Sequence, residues 1–201
     1  MKYQARASSR RPSSLGYAIL GLLAARPWTG YEIGRLFAET PIAIYSSSPG
    51  SIYPAIKGLR AAGLVERAPH PDNPDSSKRV FAITPRGRAA LRDWLAAPVA
   101  REDVRRNMQD LMLRFAFMSG NLPEAAIIRF LKDLKRETEA HIEALEAHAE
   151  QMRAAAPLSG VLALQAGIDG YRKTARWAQR ALDAFVAGAR APQKTPPEKT
   201  S

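Results

Sequence analysis

The chain has no cysteine among its 201 residues, which excludes disulfides and metal sites built from thiolates. No apolar run approaches the roughly 18 residues that a membrane helix needs. The first residues, MKYQARASSRR, also lack the apolar stretch of a signal peptide. These absences predict a cytoplasmic protein that does not enter a membrane.

The motifs of common enzymes are missing too: there is no Gly-rich phosphate loop, no nucleophile elbow and no HExxH. His70 falls in a predicted loop, and His141 and His148 lie seven residues apart on a predicted helix rich in glutamate. A metal-binding pair is one interpretation of the last two, but solvated residues on a helix surface are favoured. The sequence therefore predicts a protein that is not an enzyme and has no cofactor or metal.

Acidic residues are scarce: 30 Lys and Arg face 19 Asp and Glu, a net charge of +11. Residues 1–100 carry 14 basic and 6 acidic side chains (+8), whereas residues 101–201 carry 16 and 13 (+3). A basic balance of this size indicates a polyanionic partner, either nucleic acid or an anionic membrane surface. The contact with that partner is expected mainly in the N-terminal half.

The stretch from Ser46 to Leu64, SSSPGSIYPAIKGLRAAGL, predicts a short helix with one packed face and one basic face. The apolar arc consists of Ile52, Ala55, Ile56, Leu59 and Ala62. The opposite arc consists of Gly50, Tyr53, Pro54, Lys57, Arg60 and Ala61. Cations, a ring with a hydroxyl and small residues on one face suit insertion into a DNA groove, although an ordinary amphipathic surface helix has the same pattern.

Pro54 constrains where this helix can begin. Proline lacks an N–H, and its ring clashes with the carbonyl four residues earlier when it lies inside a helix. We therefore expect a regular helix only from about Ser51 or Ile52, with Ser51 as the N-cap and an irregular segment before it. Gly63 provides the stop signal at the other end.

Around this helix the sequence predicts a winged helix-turn-helix. Ser13 or Ser14 starts a first helix that runs to Ala25, and Thr29 starts a second one that Pro41 ends. The inward-facing residues of these two helices are Leu15, Ile19, Leu22 and Leu23 in the first, and Tyr31 or Ile33, Leu36 and Phe37 in the second. After Gly63, LVERA and RVFAIT read as two strands around a turn-rich loop, and Thr84-Pro85 starts a fourth helix.

Three motifs in this region, in this order and spacing, resemble the signature of PadR-family transcriptional regulators. They are TGYEI from Thr29, SPGSIYPAIKGLRAAGLV from Ser48, and the ribbon followed by ITPRGRAAL from Ile83. Two departures are visible: Arg60 stands where the family commonly has an acidic residue, and FAIT replaces a more aromatic strand end. The resemblance covers roughly residues 13–95 and implies a DNA-binding dimer.

The C-terminal half predicts helices throughout. One helix is expected from Glu102 to Met118, and a second, from a capping box formed by Asn121 and Glu124, is expected to run to about Ala155. A third follows from about Val161 to Ala187. Each helix has an expected stripe of inward-facing residues. In the first helix it is Val104, Met108, Leu111, Phe115 and Met118, and in the second it is Ile127, Leu131, Leu134, Thr138, Ile142, Leu145, Ala149 and Met152. In the third helix it is Leu164, Ile168, Tyr171, Trp177 or Ala178, Leu182 and Phe185. Such long amphipathic helices are expected to pair with each other and with a second subunit, as the resemblance also implies.

The predicted fold class is mainly α. Four regions are predicted along the chain. They are a disordered basic arm (1–12), a winged helix-turn-helix domain with a two-stranded wing (13–97), an all-α dimerisation region of long antiparallel helices (98–188) and a disordered tail (189–201). The predicted function is that of a homodimeric, sequence-specific regulator, most simply a repressor, bound to a palindromic operator in double-stranded DNA. The DNA-binding candidates are Ser48, Ser51, Tyr53, Pro54, Lys57, Arg60, Lys78 and Arg79.

Two other interpretations of the DNA-binding half stay open at this point. One is a winged-helix module for protein interaction or scaffolding, and the other is an architectural protein that binds DNA without sequence preference. The resemblance also implies that a small aromatic effector could bind at or near the dimer interface. The candidates for its pocket are Met108, Met112, Phe115, Phe117 and Trp177, although a plain role in the core or in dimer contact is favoured.

Overall fold

The computed structural model describes residues 11–39, 49–69, 80–152 and 156–190, and these form eight helices and two strands. In chain order the elements are α1 (Ser14–Ala25), α2 (Gly30–Glu39), α3 (Pro49–Ala61), β1 (Val65–Ala68), β2 (Val80–Ile83), α4 (Pro85–Ala96), α5 (Arg101–Arg106), α6 (Met108–Met118), α7 (Glu124–Met152) and α8 (Leu158–Arg190). The predicted fold class, a winged helix-turn-helix followed by a helical region, is confirmed. Residues of the predicted arm before Arg11, of the tail after Arg190, and the wing loop with His70 lie outside the described residues.

The chain divides into two compact units, with Met1–Ala96 and Leu113–Asn121 in the first and Ala97–Met112 and Leu122–Ser201 in the second. The prediction placed all of residues 98–188 in one region, whereas most of α6 belongs with the first unit. Within that unit Arg114 is buried and donates from Nη2 to the Leu95 carbonyl oxygen at 3.2 Å. The ring of Phe117 lies over Gly21 so closely that a Cβ there would come within 2.5 Å of its Cγ.

Helix α1 is the centre of the first unit. Of the two predicted cap residues, Ser13 and Ser14, the N-cap is Ser13, and its hydroxyl oxygen accepts from the Gly16 amide at 3.2 Å. Every residue from Gly16 to Leu23 is buried, so the helix is covered on all sides and not only along the predicted stripe. A sequence that is apolar all round a helix predicts this kind of central position.

Helix α2 begins with a capping box at Thr29, the residue that was predicted to start it. The Thr29 hydroxyl oxygen accepts from the Glu32 amide at 3.1 Å, and the Thr29 amide donates to Glu32 Oε2 at 2.7 Å. Ile33 and Phe37 are fully buried, whereas Tyr31 is 72% exposed. Of the two inward-facing residues considered, the structure therefore selects Ile33.

Helix α3 begins at Pro49, so the predicted start at Ser51 or Ile52 was wrong. Pro54 lies inside the helix, where its missing N–H removes one backbone hydrogen bond. Pro49 suits the first helical position because its fixed φ is helical and its lack of a donor costs nothing there. Ala62, which was expected on the apolar arc, follows the end of the helix and is exposed.

The ribbon β1–β2 is antiparallel, with Val65 opposite Ile83 and Ala68 opposite Val80. On the other side of β2, Trp28 and Phe81 exchange two backbone hydrogen bonds, at 2.8 and 3.1 Å. Thr84 then joins the ribbon to α4: its hydroxyl donates to the Gly63 carbonyl at 2.8 Å and accepts from the Gly87 amide at 3.0 Å. These bonds fix the ribbon and α4 against the end of α3.

The predicted helix from Glu102 to Met118 is broken at Asn107 into α5 and α6. Asn107 leaves the helical conformation (φ −127°, ψ 29°), and its amide donates to the Asp103 carbonyl at 2.7 Å. Asn121 was also placed wrongly, since it does not start α7. Its amide and side chain donate back to the carbonyls of Met118 and Phe117, after Gly120 has taken a left-handed φ of +78°.

Helices α7 and α8 pack against each other along their apolar stripes, as predicted for an antiparallel pair. Ile142, Ile168 and Ala175 form a buried cluster. Helix α7 is described from Glu124 to Met152, and its predicted end near Ala155 lies outside the described residues. Helix α8 is longer than predicted, from Leu158 to Arg190. Val104, Leu111 and Met118 of the α5–α6 stripe are also buried, in the units to which they belong.

Candidate nucleic-acid interface

The two faces of α3 are divided as the sequence predicts. Ile52, Ile56 and Leu59 are at most 5% exposed and anchor the helix in the first unit. The opposite face is exposed and consists of Gly50, Tyr53, Pro54, Lys57, Arg60 and Ala61. Two cations and a tyrosine are therefore presented together on one rigid surface, because the buried side prevents the helix from rotating about its axis.

Tyr53 is 52% exposed, and its ring leans toward the first residue of α2. A Cβ added to Gly30 would lie 2.7 Å from Cε1, 3.0 Å from Cζ and 3.1 Å from the hydroxyl oxygen of Tyr53. The ring therefore occupies the space that a side chain at residue 30 would need. The sequence placed Tyr53 on the exposed face of α3, as the structure has it, but gave no role to Gly30, whose only signal is its position directly after the cap residue Thr29.

The start of α2 is also electrostatically ordered. Burial raises the pKa of Glu32, but hydrogen bonds from the backbone and hydroxyl of Thr29, together with the charge of Arg26, lower it by more. The net effect holds the pKa of Glu32 below its usual value. Arg26 lies 3.5 Å from Glu32 and also stacks over Trp28, with its guanidinium carbon 3.4 Å from the ring centroid. The capping carboxylate is thus kept ionised at neutral pH.

The other DNA-binding candidates are Ser48, Ser51, Lys78 and Arg79, and only Ser51 lies among the described residues. Ser51 is partly buried at the first turn of α3. Ser48 before the helix, and Lys78 and Arg79 of the wing, lie outside the described residues. Their roles therefore stay predictions.

The effector candidates fall in both units: Met108, Met112 and Trp177 belong to the second, and Phe115 and Phe117 to the first. All five are partly buried. Phe117 packs on Gly21, which favours the core role that was considered as its alternative. The assignment of these residues to an effector pocket stays a prediction.

The histidine pair differs from the expected solvated surface. His141 is only 8% exposed and makes an edge contact with Tyr171, with ring centroids 4.6 Å apart, while His148 is exposed as expected. Burial and the positive charges of Arg105 and Arg101 lower the pKa of His141. Within the described part of the chain, no three His, Asp or Glu side chains are arranged to hold a metal ion. No helix there is both long enough and apolar enough to cross a membrane.

The sequence matches two known protein families, which together cover most of the chain. Residues 19–93 match the transcriptional regulator PadR-like family, and residues 108–185 match the virulence activator alpha C-term family. This chain belongs to the PadR-like family of transcriptional regulators. The resemblance of the three sequence motifs is therefore confirmed.

Individual relatives of this PadR-like chain are similar over comparable lengths. The negative transcriptional regulator PadR of Bacillus subtilis is 27% identical over 146 residues, which cover 72% of this chain and 79% of that protein. A crystal structure of a PadR-like regulator from Bacillus cereus is 25% identical, with 87% and 99% of the two chains covered and a TM-score of 0.38. A structure of B. subtilis PadR with operator DNA is 24% identical, covers 86% and 99%, and has the same TM-score of 0.38.

Proposed function

We propose that this PadR-like regulator is a homodimeric, sequence-specific repressor that binds a palindromic operator in cytoplasmic double-stranded DNA. The observation that carries the proposal is the exposed face of α3, where Tyr53, Lys57 and Arg60 stand opposite three buried anchors. A helix held in this way suits the major groove, which admits one α-helix. The repressor role is supported by the relative in B. subtilis, which is named a negative regulator.

In this proposal each part of the interface has a different task. Lys57 and Arg60 bind phosphates or guanine edges, and Tyr53 with Pro54 makes close contact with the DNA at the start of the helix. Ser48 and Ser51 donate hydroxyl hydrogens at the helix entry, and Lys78 and Arg79 of the wing bind neighbouring phosphates. The excess of positive charge in residues 1–100 supports this arrangement, because phosphate contacts dominate the affinity of DNA-binding proteins.

The homodimer is supported by an uncharged stretch at the start of α8. From Leu158 to Ile168 the sequence LSGVLALQAGI has no charged side chain, and Leu158 and Leu162 are 73% and 60% exposed in the single chain. Exposed apolar residues of this size favour contact with another protein surface. Sedimentation of the full chain tests the proposal, and a monomer at micromolar concentration contradicts it.

A shortened chain is a poor substitute in that measurement. Ending the protein near Pro98 removes Arg114 and Phe117, which pack within the first unit on Leu95 and Gly21. The full chain is therefore the sample for both oligomer and DNA measurements.

The proposal includes a small aromatic effector that releases the DNA. Its candidate contacts stay those named from the sequence, Met108, Met112 and Trp177 in the second unit and Phe115 and Phe117 in the first. Sulfur and aromatic groups that are only partly buried can adapt to a flat apolar ligand. p-Coumaric acid, which a solved B. subtilis PadR structure contains, is a suitable probe. Release of bound DNA by micromolar probe supports this part, and unchanged DNA binding at saturating probe contradicts it.

Selection of duplexes from a random pool by the purified full chain tests the main proposal. We expect a palindromic consensus, bound at least about a thousandfold more tightly than a scrambled duplex at 150 mM salt. Equal affinity for both duplexes would indicate an architectural DNA-binding protein. Absence of binding to either would indicate a protein-interaction module.

A further inference from the structure

Gly30 has no evident backbone reason to be glycine. It is the first residue of α2, it is buried, and its φ lies outside the left-handed region, where the described glycines with positive φ are Gly63 and Gly120. Glycine at an ordinary helical position is less favourable than alanine because it loses more backbone entropy. The contact with Tyr53 is the structural feature that explains its presence.

The contact involves the outer end of the tyrosine. The atoms nearest to the position of a Cβ on Gly30 are Cε1, Cζ and the hydroxyl oxygen, at 2.7 to 3.1 Å. Because these atoms are the far end of a half-exposed side chain, the ring can rotate away if a methyl group is added. The fold therefore tolerates alanine at residue 30, but the orientation of Tyr53 does not.

The contact also shows where the hydroxyl of Tyr53 is held. It lies beside the first turn of α2, the first helix of the helix-turn-helix, and in such motifs this helix crosses the DNA backbone while the second enters the groove. Tyrosine hydroxyls are among the groups that bind phosphate oxygens in protein–DNA complexes. A hydroxyl at this place is therefore nearer to the path of the backbone than to the base edges.

We infer that Gly30 is a positioning residue, which seats the ring of Tyr53 so that its hydroxyl is oriented toward a DNA phosphate before binding. The inference rests on the proposed function, because it takes α3 to be the recognition helix. Orientation in advance strengthens binding by removing the cost of ordering the side chain in the complex. Tyr53 then contributes to affinity on every DNA sequence and not to discrimination between sequences.

The test compares Gly30→Ala with Gly34→Ala in the full chain. Gly34 lies in the same helix, and a Cβ there would make an ordinary 3.6 Å contact with Ile52 Cδ1. We expect Gly30→Ala to weaken binding about tenfold on selected and scrambled duplexes alike, which is close to the lower end of what a hydrogen bond to a charged group contributes. Gly34→Ala should bind as the unchanged chain does, and both variants should keep or slightly raise the melting temperature, since alanine favours the helix.

Variants of Tyr53 separate orientation from other effects. Tyr53→Phe should weaken binding equally on both duplexes without changing the salt dependence, because a neutral hydroxyl displaces no counterion. In a Tyr53→Ala background, Gly30→Ala should cause no further loss. A loss for Tyr53→Phe on the selected duplex alone would overturn the phosphate assignment.

Other outcomes also decide the question. Unchanged DNA binding by a folded Gly30→Ala variant would overturn the positioning role, and so would a further tenfold loss in the Tyr53→Ala background. A fall of more than about 10 °C in melting temperature would contradict it too, because the ring would then not be free to move. If the unchanged chain binds no duplex at all, the proposed function itself fails, and that result is separate from these.

Discussion

Gly87, in the first turn of α4, is the residue at which the structure predicts the largest effect of one added methyl group. A Cβ on Gly87 would lie 2.1 Å from the carbonyl oxygen of Leu64 and 2.8 Å from Ile83 Cγ1. The Leu64 oxygen cannot easily move, since it accepts from the Thr84 amide at 3.1 Å. The Gly87 amide is bound in turn to the Thr84 hydroxyl at 3.0 Å. Relief of the clash therefore requires the ribbon and α4 to separate.

We expect Gly87→Ala to lower the free energy of unfolding of the first unit by about 3 kcal/mol, the upper end for an overpacked site. The helix propensity of alanine offsets less than about 1 kcal/mol of this. A loss of this size lowers the melting temperature of a unit of this length by more than about 10 °C. Gly58→Ala is the matched control, because a Cβ on Gly58 in α3 would meet no atom within 4 Å.

The measurement is urea unfolding followed by tryptophan fluorescence in a Trp177→Phe background. The two remaining tryptophans, Trp28 and Trp94, both belong to the first unit, and Trp94 is stacked on Tyr17 with ring centroids 4.4 Å apart. The signal then reports that unit alone. A Gly87→Ala midpoint equal to that of Gly58→Ala would refute the packing argument.

Three further predictions concern charge and capping. Lys57→Ala should weaken binding to selected and scrambled duplexes alike and reduce the salt slope by about one, and an unchanged slope would place Lys57 off the DNA. His141 should make stability fall as the pH drops below about 6.5: its pKa is lowered in the fold, so the unfolded chain takes up the proton first. Urea unfolding at pH 7.5 and 5.5 checks this, and His141→Gln should remove that part of the fall. Thr29→Ala should lower the free energy of unfolding by about 1 kcal/mol and raise the pKa of Glu32. Thr29→Ser should leave the free energy of unfolding and the pKa unchanged.

Three of the helix starts were predicted correctly from local chemistry, whereas the starts of α3 and α7 were not. Ser13, Thr29 and Thr84 act at the helix starts where they were expected, because a hydroxyl can bond to an amide only two or three residues away. The division of α3 into two faces was predicted for a similar reason, since periodicity alone determines which residues share a side. These features require no knowledge of the rest of the fold.

Two of the errors lie at the two ends of α6, and at one of them a single residue can serve either of two neighbouring helices. Asn121 stands three residues before Glu124, which is the spacing of a capping box, but its side chain donates to the Phe117 carbonyl at the end of α6. Both uses satisfy an unpaired helix end, and only the positions of the two helices decide between them. The break at Asn107 could not be predicted either. The apolar stripe continues across it without a change of period, so the pattern of apolar residues does not indicate that one helix ends there.

At three described glycines of the first unit an added Cβ would come closer than 3.0 Å to another atom, and the atom it would meet determines what each glycine does. Gly87 faces a backbone carbonyl that hydrogen bonds hold in place, so a methyl group there costs stability. Gly21 faces the Cγ of Phe117, the base of a ring whose displacement would disturb the packing of α6 on α1. Gly30 faces the outer end of Tyr53, which can move away into solvent, so a methyl group there changes a surface and leaves the core intact. The same substitution should therefore reduce stability at residue 87 and DNA affinity at residue 30, and this contrast separates the architecture of the domain from its contact with DNA.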